Sequence, residues 1–381
     1  MTAEIKTLVV YPYMQHYRLG VFQEMDKTEG VEYTFASDVV GRHGIKSLPG
    51  TAVSRHLVTT RKVIGPLSWQ RGLLPVLCRH DYDAVVFFAE INAVSTWIGA
   101  IVARLRRKPV LFWTTGWHRP ERGVKRLLRN VFYHLSHQLL LYGELGKSIG
   151  EKMNFPESKM TVIGNSVETP KIENLDDEKF VFEKTPDSIV LGAVIRLIPV
   201  KKLEQILHAV ALLQDDKTNK VITVLIVGEG PERENLQALA ERLGVHLVMP
   251  GAFYGDTALS NVYKVLDVTV VPAAVGLTAI QSMSHGVPVV SNDSAYTQMP
   301  EWESIRSGAT GELFEMDDVE SLADAILRII ELPSERRAEI SRNCKTEVRE
   351  NWASSSQAHR IAESIKLFVP TSPPRVKGGK K

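Results

Sequence analysis

The sequence predicts an α/β protein made of two doubly wound, Rossmann-like domains that face a central cleft. Short apolar runs alternate with amphipathic helical segments along the chain, which is the pattern of parallel sheets covered by helices on both faces. A polar, charged stretch at residues 166–188 interrupts this alternation, and a second series follows it. Ligands of such sheets bind at the carboxyl ends of the strands, so both domains are expected to face one ligand.

The individual elements follow from length and periodicity. Continuous apolar runs of this length predict buried parallel strands, and in the first half they lie at 6–13, 84–90, 109–116, 137–143 and 159–165. Helical segments lie between them at 92–107 and 122–138. In the second half, strands are predicted at 188–195, 221–230, 245–251, 268–273 and 287–293, and helices at 202–214, 231–244 and 319–332.

Composition restricts the class of protein. The 381 residues suffice for two or three domains, and 44% hydrophobic with 24% charged residues is typical of globular proteins. A net charge of +2 gives no electrostatic support for nucleic-acid binding. Cys78 and Cys344 lack metal-ligand spacing and fit free thiols in a reducing compartment. The first residues do not form a secretory signal, and no apolar run is long enough to span a bilayer, so a cytoplasmic location is predicted.

Five motifs in the second half occur in a recognisable order, and together they cover residues 188–332. They are "GAVIRLIPVKKLEQILHAVALL", "VLIVGEGPERENLQALAERLG", "VYKVLDVTVVPA", "GLTAIQSMSHGVPVVSND" and "MPEWESIRSGATGELFEMDDVESLADAI". The first half matches more loosely, at "TTGWH" and "VIGNSVET". This order of motifs resembles the family-4 retaining glycosyltransferases, which have the GT-B fold. "NWASSSQAHRIAESIKLF" resembles the final helix of that family, which crosses back to the first domain.

The resemblance implies a division of the chain. Residues 1–166 would form an acceptor-binding domain, 167–187 a linker, and 188–350 a domain that binds a nucleotide sugar. Residues 351–369 would form the helix that crosses back, and the Pro-, Gly- and Lys-rich tail 370–381 is expected to be disordered.

The resemblance also implies an activity. A hexose would pass from a nucleoside-diphosphate sugar to an acceptor hydroxyl of a glycan or lipid-linked glycan in cell-surface polysaccharide synthesis, with retention of the anomeric configuration. The nucleotide sugar is a substrate, and neither a cofactor nor a metal is expected. The "DYD" at 81–83 precedes a buried strand instead of ending one, so it is not placed to hold a metal.

Arg196 and Lys201 match the basic pair of the family and are assigned to catalysis. Both follow a predicted strand, and positive groups there would stabilise the charge that develops on a leaving diphosphate. The alternative is two solvated surface cations. Lys202 stands where the family usually has glycine, which leaves open which lysine reaches the phosphate.

The "GLTAIQSM" segment predicts a phosphate site at a helix start. Gly276, Leu277 and Thr278 would offer backbone N–H groups to phosphate, and an ordinary helix start is the alternative. Alignment with the family places its two glutamates at Ala273 and Gln281. Gln281 can still hydrogen-bond a ribose hydroxyl, whereas Ala273 can make no polar side-chain contact. Gly228 and Glu229 follow a strand and would lie near the nucleotide, although a simple strand–helix turn explains them equally well.

Four residues of the first half are candidates because they follow predicted strands. His118 matches a family histidine beside the transferred sugar and is assigned to catalysis, with a structural histidine as the alternative. His16, Arg18 and Glu90 are assigned to acceptor binding. A structural carboxylate is the alternative for Glu90.

The segment "GVKRLLRNVF" predicts an amphipathic basic helix. Lys125, Arg126 and Arg129 would lie along one side and bind an anionic membrane surface, which would make the protein peripheral on the inner face of the membrane. The alternative is a solvated basic face with a buried apolar side.

Two further functions stay open. A non-catalytic binding or partner protein could keep the fold and lack turnover, because Ala273 and Gln281 replace the acids. An epimerase of the same fold would need a water-activating carboxylate, and the sequence offers no convincing one.

Overall fold

The structure, a computed structural model, describes residues 4–42, 45–166, 188–214, 218–253 and 256–369, together with residues 182, 184 and 185. The chain forms two compact units: Met1–Glu168 with Ser354–Lys381, and Thr169–Ala353. The predicted tail 370–381 and most of the predicted linker 167–187 lie outside the described residues.

The first unit is built on a parallel sheet. Its strands are β1 (Ile5–Tyr13), β2 (Val31–Asp38), β3 (His56–Val58), β6 (Ala84–Phe88), β7 (Val110–Thr114), β8 (Gln138–Leu141) and β9 (Met160–Val162), and β4 (Thr60–Ile64) and β5 (Leu67–Arg71) form a separate antiparallel hairpin. Within the described residues the parallel order is β3-β2-β1-β6-β7-β8-β9. The order reverses between β1 and β6, so the loops after these two strands flank the crevice where such sheets bind ligands.

Helices cover both faces of this sheet, which explains the continuous apolar runs. The helices are α1 (Leu19–Asp26), α2 (Leu73–Arg79), α3 (Val94–Leu105), α4 (Gly123–His134), α5 (Glu144–Lys152) and α12 (Ser354–Lys366). The last of these packs in the same core as β1, where Ile361, Ala362 and Ile365 are fully buried beside Ile5 and Val9.

The second unit has the same plan. Its strands are β10 (Ser188–Val194), β11 (Val221–Val227), β12 (His246–Gly251), β13 (Val268–Val270), β14 (Val289–Asn292) and β15 (Gly311–Phe314). Its helices are α6 (Glu204–Leu212), α7 (Arg233–Leu243), α8 (Asp256–Val265), α9 (Leu277–Ser284), α10 (Val319–Ile330) and α11 (Ser334–Glu347). In the described residues the order is β12-β11-β10-β13-β14-β15, all parallel. The order reverses between β10 and β13, so the loops that follow them, at 195–201 and 271–276, flank the crevice of this sheet.

The hairpin of β4 and β5 is absent from the sequence prediction. Its residues mix cations with apolar side chains, and Val63, Ile64 and Leu67 at its tip are about half exposed or more. The buried side chains of β5, Ser68 and Gln70, are polar, so the segment lacks the alternation of apolar and polar residues by which strands are predicted.

Candidate functional site

The 271–276 loop, which joins β13 to α9, is held at nearly every backbone position. Ser291 Oγ donates to the Val271 carbonyl at 2.8 Å, and Asn292 Nδ2 donates to the Pro272 carbonyl at 2.6 Å. The Val275 N–H donates to Gln298 Oε1 at 2.7 Å, and the Val275 carbonyl accepts from the Met299 N–H at 3.2 Å. A loop with its backbone groups paired in this way presents a fixed surface to a ligand.

Lys201 supplies the remaining contact to this loop. It ends a short 3-10 helix after β10, and its Nζ donates to the Ala274 carbonyl at 2.5 Å. An ammonium has three N–H donors, so two are left for another acceptor. The adjacent Lys202 instead pairs with Asp317, which also accepts from Gln205 at 3.0 Å. The structure therefore brings Lys201, and not Lys202, to the 271–276 loop.

Three effects act on the pKa of Lys201. Burial lowers the pKa of Lys201, the nearby Arg196 guanidinium lowers it further, and the Glu301 carboxylate opposes both. Arg196 is exposed, whereas Glu301 is only 1% exposed. Two cations lie beside a fixed loop, and one buried carboxylate neutralises them only in part. A bound anion would therefore be stabilised at this site.

The start of α9 lies beside this cation pair. Gly276 precedes the helix, and the Thr278 hydroxyl donates to the Val194 carbonyl, at the end of β10, at 3.2 Å. The first N–H groups of a helix have no acceptor within it, so those of Leu277 and Thr278 are oriented as an anion site requires. A Cβ added at Gly276 would meet only the Met299 side chain, at 3.6 Å. A side chain at this position would therefore contact Met299 without a clash.

Gln281 lies one turn further into α9 and is half-buried. The Tyr263 hydroxyl donates to its Oε1 at 3.5 Å, and the Tyr263 ring stacks on His285 with 4.7 Å between centroids. Burial raises the pKa of Tyr263, so this phenol stays protonated and remains a donor. With Oε1 accepting from Tyr263, the Gln281 amide nitrogen is the atom that can donate to a ligand.

We expect replacement of Gln281 by alanine to weaken nucleotide binding by about 0.5–1.5 kcal/mol, the net value of a neutral hydrogen bond. Gln281→Glu should bind as well or better, because a carboxylate also accepts from Tyr263 and accepts more strongly from a ribose hydroxyl. Calorimetry with nucleoside diphosphates measures both. A Gln281→Ala protein that unfolds at lower temperature but binds normally would contradict a ligand contact and indicate a structural role.

Gly228 and Glu229 follow β11, and the structure gives a packing reason for this turn. A Cβ at Gly228 would lie 1.8 Å from the Ile195 carbonyl oxygen, and one at Gly230 would lie 2.1 Å from that of Leu197. Glu229 is exposed and pairs with Arg233 at 3.2 Å. The glycines thus allow two backbone segments to touch, and this contact supports the loop that carries Arg196.

Ala273 is 6% exposed, and Ala274 beside it has a φ of +50°. A left-handed backbone at a residue with a Cβ costs about 1 kcal/mol. The contact from Lys201 and the neighbouring hydrogen bonds hold the loop in this conformation. Ala273, the predicted first glutamate position, is therefore a small buried side chain in a strained, tightly held turn.

In the first unit, His118 lies in the loop between β7 and α4. Its ring is at the surface, yet partial desolvation lowers the pKa of His118, and the charges of Arg129 and Arg119 lower it further. A neutral imidazole can donate and accept hydrogen bonds. Two contacts secure the loop itself: Tyr133 donates to the Gly116 carbonyl at 3.1 Å, and Arg129 binds Glu121 with two bonds of 2.8 Å.

The three predicted acceptor residues follow β1 and β6, the two strands at the reversal, but their environments differ. His16 is exposed, while Arg18 is 6% exposed and lies 5.1 Å from the Tyr142 ring centroid and 5.8 Å from that of Trp113. Glu90 accepts from Arg61 of the hairpin at 2.5 Å. Arg18 and Glu90 are thus held by protein groups, and their roles in acceptor binding stay predictions.

The basic side predicted for α4 is only partly exposed. Arg129 is bound to Glu121 and packs near Tyr133, and Arg126 donates to the Met153 carbonyl at 3.2 Å. Lys125 is exposed and pairs with Glu121 at 3.2 Å. Phe132 and Tyr133 of this helix are buried, as the alternative interpretation expects, whereas Val124, Leu127, Leu128 and Val131 are exposed. The binding of an anionic membrane through Lys125, Arg126 and Arg129 stays a prediction.

Three residues of this edge have no counterpart in the sequence prediction: Asn292, Gln298 and Glu301. Gln298 is buried, and its amide nitrogen donates to Ser291 Oγ at 3.0 Å and to the Asn292 carbonyl at 3.1 Å. Asn292 ends β14, and Gln298 and Glu301 follow this strand, beside the 271–276 loop. The sequence signal that could have identified these residues is their position at or after the end of a buried strand. Side chains at the carboxyl edge of a parallel sheet approach the loops that bind ligands.

In the described ranges, no group of three or more His, Cys, Asp or Glu side chains is arranged to hold a metal ion. No helix in this part of the chain is long and apolar enough to cross a membrane.

In a comparison with sequence families, residues 174–347 match the profile described as "Glycosyl transferases group 1". A lipopolysaccharide core biosynthesis glycosyltransferase of Rhizobium meliloti is 29% identical over 175 residues, which are 45% of this chain and 48% of that protein. A GDP-mannose-dependent phosphatidylinositol monomannoside mannosyltransferase of Mycolicibacterium smegmatis is 25% identical over 191 residues, 47% of this chain and 48% of that protein. The chain thus aligns with about half the length of these curated relatives.

Solved structures match over nearly the whole chain. The apo lipopolysaccharide outer core galactosyltransferase WaaB superposes with a TM-score of 0.69 at 12% identity, covering 95% of this chain and 99% of that one. Anabaena HepE in complex with UDP-glucose gives a TM-score of 0.65 at 18% identity, covering 96% and 100%. A glycosyltransferase of Rickettsia africae gives 0.72 at 17% identity, covering 97% and 100%. The predicted fold class, two Rossmann-like domains in the GT-B fold, is confirmed.

Proposed function

We propose that this chain is a retaining glycosyltransferase that uses a nucleoside-diphosphate hexose. The acceptor would be a hydroxyl of a glycan or lipid-linked glycan in the synthesis of a cell-surface polysaccharide. One observation carries the proposal: Lys201 is fixed on the Ala274 carbonyl, beside Arg196 and at the start of α9. Each of these three features favours a phosphate group at the same edge of the second sheet.

Several comparisons support the nucleotide sugar as donor. HepE was solved with UDP and with UDP-glucose, and the mycobacterial relative is GDP-mannose-dependent. Both proteins use a nucleoside diphosphate, while their bases and sugars differ. The shared chemistry is the diphosphate, which is the part that Lys201, Arg196 and the α9 amides would bind.

In the proposed reaction, the bond between the anomeric carbon and the diphosphate oxygen breaks, and that carbon forms a bond to the acceptor oxygen on the same face. The two cations and the helix start stabilise the charge left on the diphosphate. The leaving phosphate oxygen takes the acceptor proton, so the step balances without a separate base or a metal. His118, which we propose to be neutral, would hydrogen-bond a hydroxyl of the transferred sugar.

A second candidate is a catalytically inactive protein that binds nucleotide sugar or a partner. It is favoured by Ala273 and Gln281, which stand where the family has its glutamates. Donor hydrolysis and transfer to added acceptors separate the two functions, because an inactive protein would bind donor without releasing nucleoside diphosphate.

The test of the proposed function begins with a thermal-shift screen of UDP-, GDP-, ADP- and dTDP-sugars. Ligand binding to the folded state alone raises the unfolding temperature, so one nucleotide class should give a clear, concentration-dependent shift. Release of the matching diphosphate is then measured with glycan acceptors. No shift with any of these compounds, and no release, would contradict the glycosyltransferase and the binding of a nucleotide sugar, and would leave a partner-binding protein as the second candidate.

A further inference from the structure

The second unit contains a cavity of about 580 Å³ at the amino edge of its sheet, where the strands begin. The residues that line it include Ser188, the first of β10, and Val268, the first of β13. The proposed nucleotide site lies at the opposite edge, after the ends of the same two strands. Strands rise about 3.3 Å per residue, so the seven residues of β10 separate the two sites by roughly 20 Å.

The walls of this cavity are largely apolar. They come from β10, from the loops before β13 and β14, and from helices α10 and α11, and they include five side chains that are at most 6% exposed: Ile189, Leu266, Val287, Ile329 and Ile340. Protein interiors contain few voids larger than a water molecule. A cavity of this volume with apolar walls has instead the size and character of a pocket for a small molecule.

Three cations lie on the solvent side of these walls. Lys184 and Arg337 are exposed and Lys220 is half-buried, and all three line the cavity. Lys184 Nζ donates to Asp267 Oδ2 at 2.7 Å, and Lys220 Nζ lies 3.3 Å from Glu331 Oε1. The two lysines are therefore held at the mouth of the cavity by carboxylates that neutralise them.

Arg337 is the cation that remains for a ligand. Among the residues that the structure describes, no carboxylate pairs with Arg337, whereas the preceding Arg336 pairs with Glu339. A guanidinium binds a carboxylate through two parallel hydrogen bonds. Asn219 is exposed and also lines the cavity, and its side-chain amide can donate a further hydrogen bond. The mouth of the cavity thus offers donors to an anion, above walls that favour an apolar group.

We propose that this cavity binds a small organic acid, with its apolar body between the walls and its carboxylate on Arg337. Burial of the apolar body would provide most of the affinity, and the carboxylate would orient the molecule. A cationic amphiphile would bring its charge against Arg337, which opposes its binding. Inorganic phosphate would leave the apolar walls without apolar contacts.

The acid site is independent of the proposed function. Neither Arg196 nor Lys201 lines the cavity, and the residues of the 271–276 loop do not line it either. A chain without transferase activity would therefore keep this second site.

Calorimetry with decanoate on the full chain tests this site. Butyrate buries less apolar surface and decylammonium carries the opposite charge, so both should bind at least about tenfold more weakly than decanoate. Arg337→Gln should weaken the binding of decanoate by about tenfold or more, because a charge-assisted contact is lost. Ile340→Trp should also weaken it, because the larger side chain occupies part of the cavity. Arg337 is exposed, so Arg337→Gln tests the site even if Ile340→Trp does not fold.

Two control variants locate the bound acid. Arg336→Gln removes the same charge one residue earlier on α11, and Arg336 does not line the cavity. Lys201→Ala removes a cation of the proposed nucleotide site, which could also attract a carboxylate. Both controls should bind decanoate like the unmodified chain. Equal losses in the two arginine variants, a loss in Lys201→Ala, equal binding of decylammonium, or no binding of decanoate to the unmodified chain would overturn the proposal.

Discussion

We expect Lys201→Ala to lower the affinity for nucleoside diphosphate by about tenfold or more, because one charge-assisted contact of about 1.5–3 kcal/mol is lost. Lys201 is anchored on the Ala274 carbonyl with its ammonium beside Arg196. Arg196→Ala should have an effect of the same size, since both cations would contact the same group. Calorimetry with the nucleotide found in the screen measures both variants.

The neighbouring lysine provides the matched control. Lys202→Ala removes the same charge one residue further along, but Lys202 pairs with Asp317, and both side chains are more than a third exposed. Exposed ion pairs contribute little to stability, so Lys202→Ala should bind nucleotide almost normally. Equal losses in the two lysine variants would show that only the total charge matters, and would contradict the assigned contact.

The alkaline pH dependence tests the same contact independently. Burial and Arg196 lower the pKa of Lys201 below 10.5, so this lysine loses its proton at a lower pH than a free lysine does. Nucleotide affinity should fall as pH rises through that lowered pKa, and binding in this range should take up a proton. Lys201→Arg keeps its charge throughout and should flatten the fall. If the affinity of Lys201→Arg falls with pH as steeply as that of the unmodified chain, the titrating group is not Lys201.

The second large effect is expected at Ala273, which the resemblance to the family predicts as the first glutamate position. Ala273→Glu should reduce transfer strongly and destabilise the second unit by about 1–3 kcal/mol, because it forces a long carboxylate into a 6% exposed position. The loop cannot move aside easily, since Lys201, Asn292 and Gln298 hold its backbone. Transfer assays and thermal unfolding measure the two effects.

Ala274→Gly is the control for this position. It changes the next residue of the same loop and should be neutral or stabilising, because glycine adopts a φ of +50° without strain. Higher activity in Ala273→Glu, or in the double variant with Gln281→Glu, would instead identify a decayed member of the glutamate-bearing family. If only the double variant binds and transfers, the unmodified chain is not an active enzyme.

The fold was more predictable than the site. Buried parallel strands such as β1 and β10 are read directly from apolar runs, because both faces of these sheets are covered. The buried side chains of the β4–β5 hairpin, Ser68 and Gln70, are polar and give no such signal. For α4 the sequence shows the amphipathic spacing but not that Arg129 is held by Glu121, which lies outside the helix.

Some features of the candidate site were predictable from the sequence, and others were not. Lys201 and Gly276 were identified because they lie in motifs that resemble the family and follow predicted strands. The choice between Lys201 and Lys202 depends on Asp317, which is distant in sequence. The support of the 271–276 loop by Gln298 depends on a side chain from the next loop of the sheet. Such contacts are set by tertiary packing, which a local pattern does not contain.

The placement of α12 in the first unit has a consequence for biosynthesis. The second unit is continuous in sequence, but the first is completed by Ser354–Lys381. On the ribosome, the second unit can therefore finish folding while the first still lacks α12, with the apolar groove beside Ile5 and Val9 uncovered. Domains generally fold as they emerge, the N-terminal one first. Here the order of completion is reversed, and the nascent first unit is the part that chaperones would need to shield.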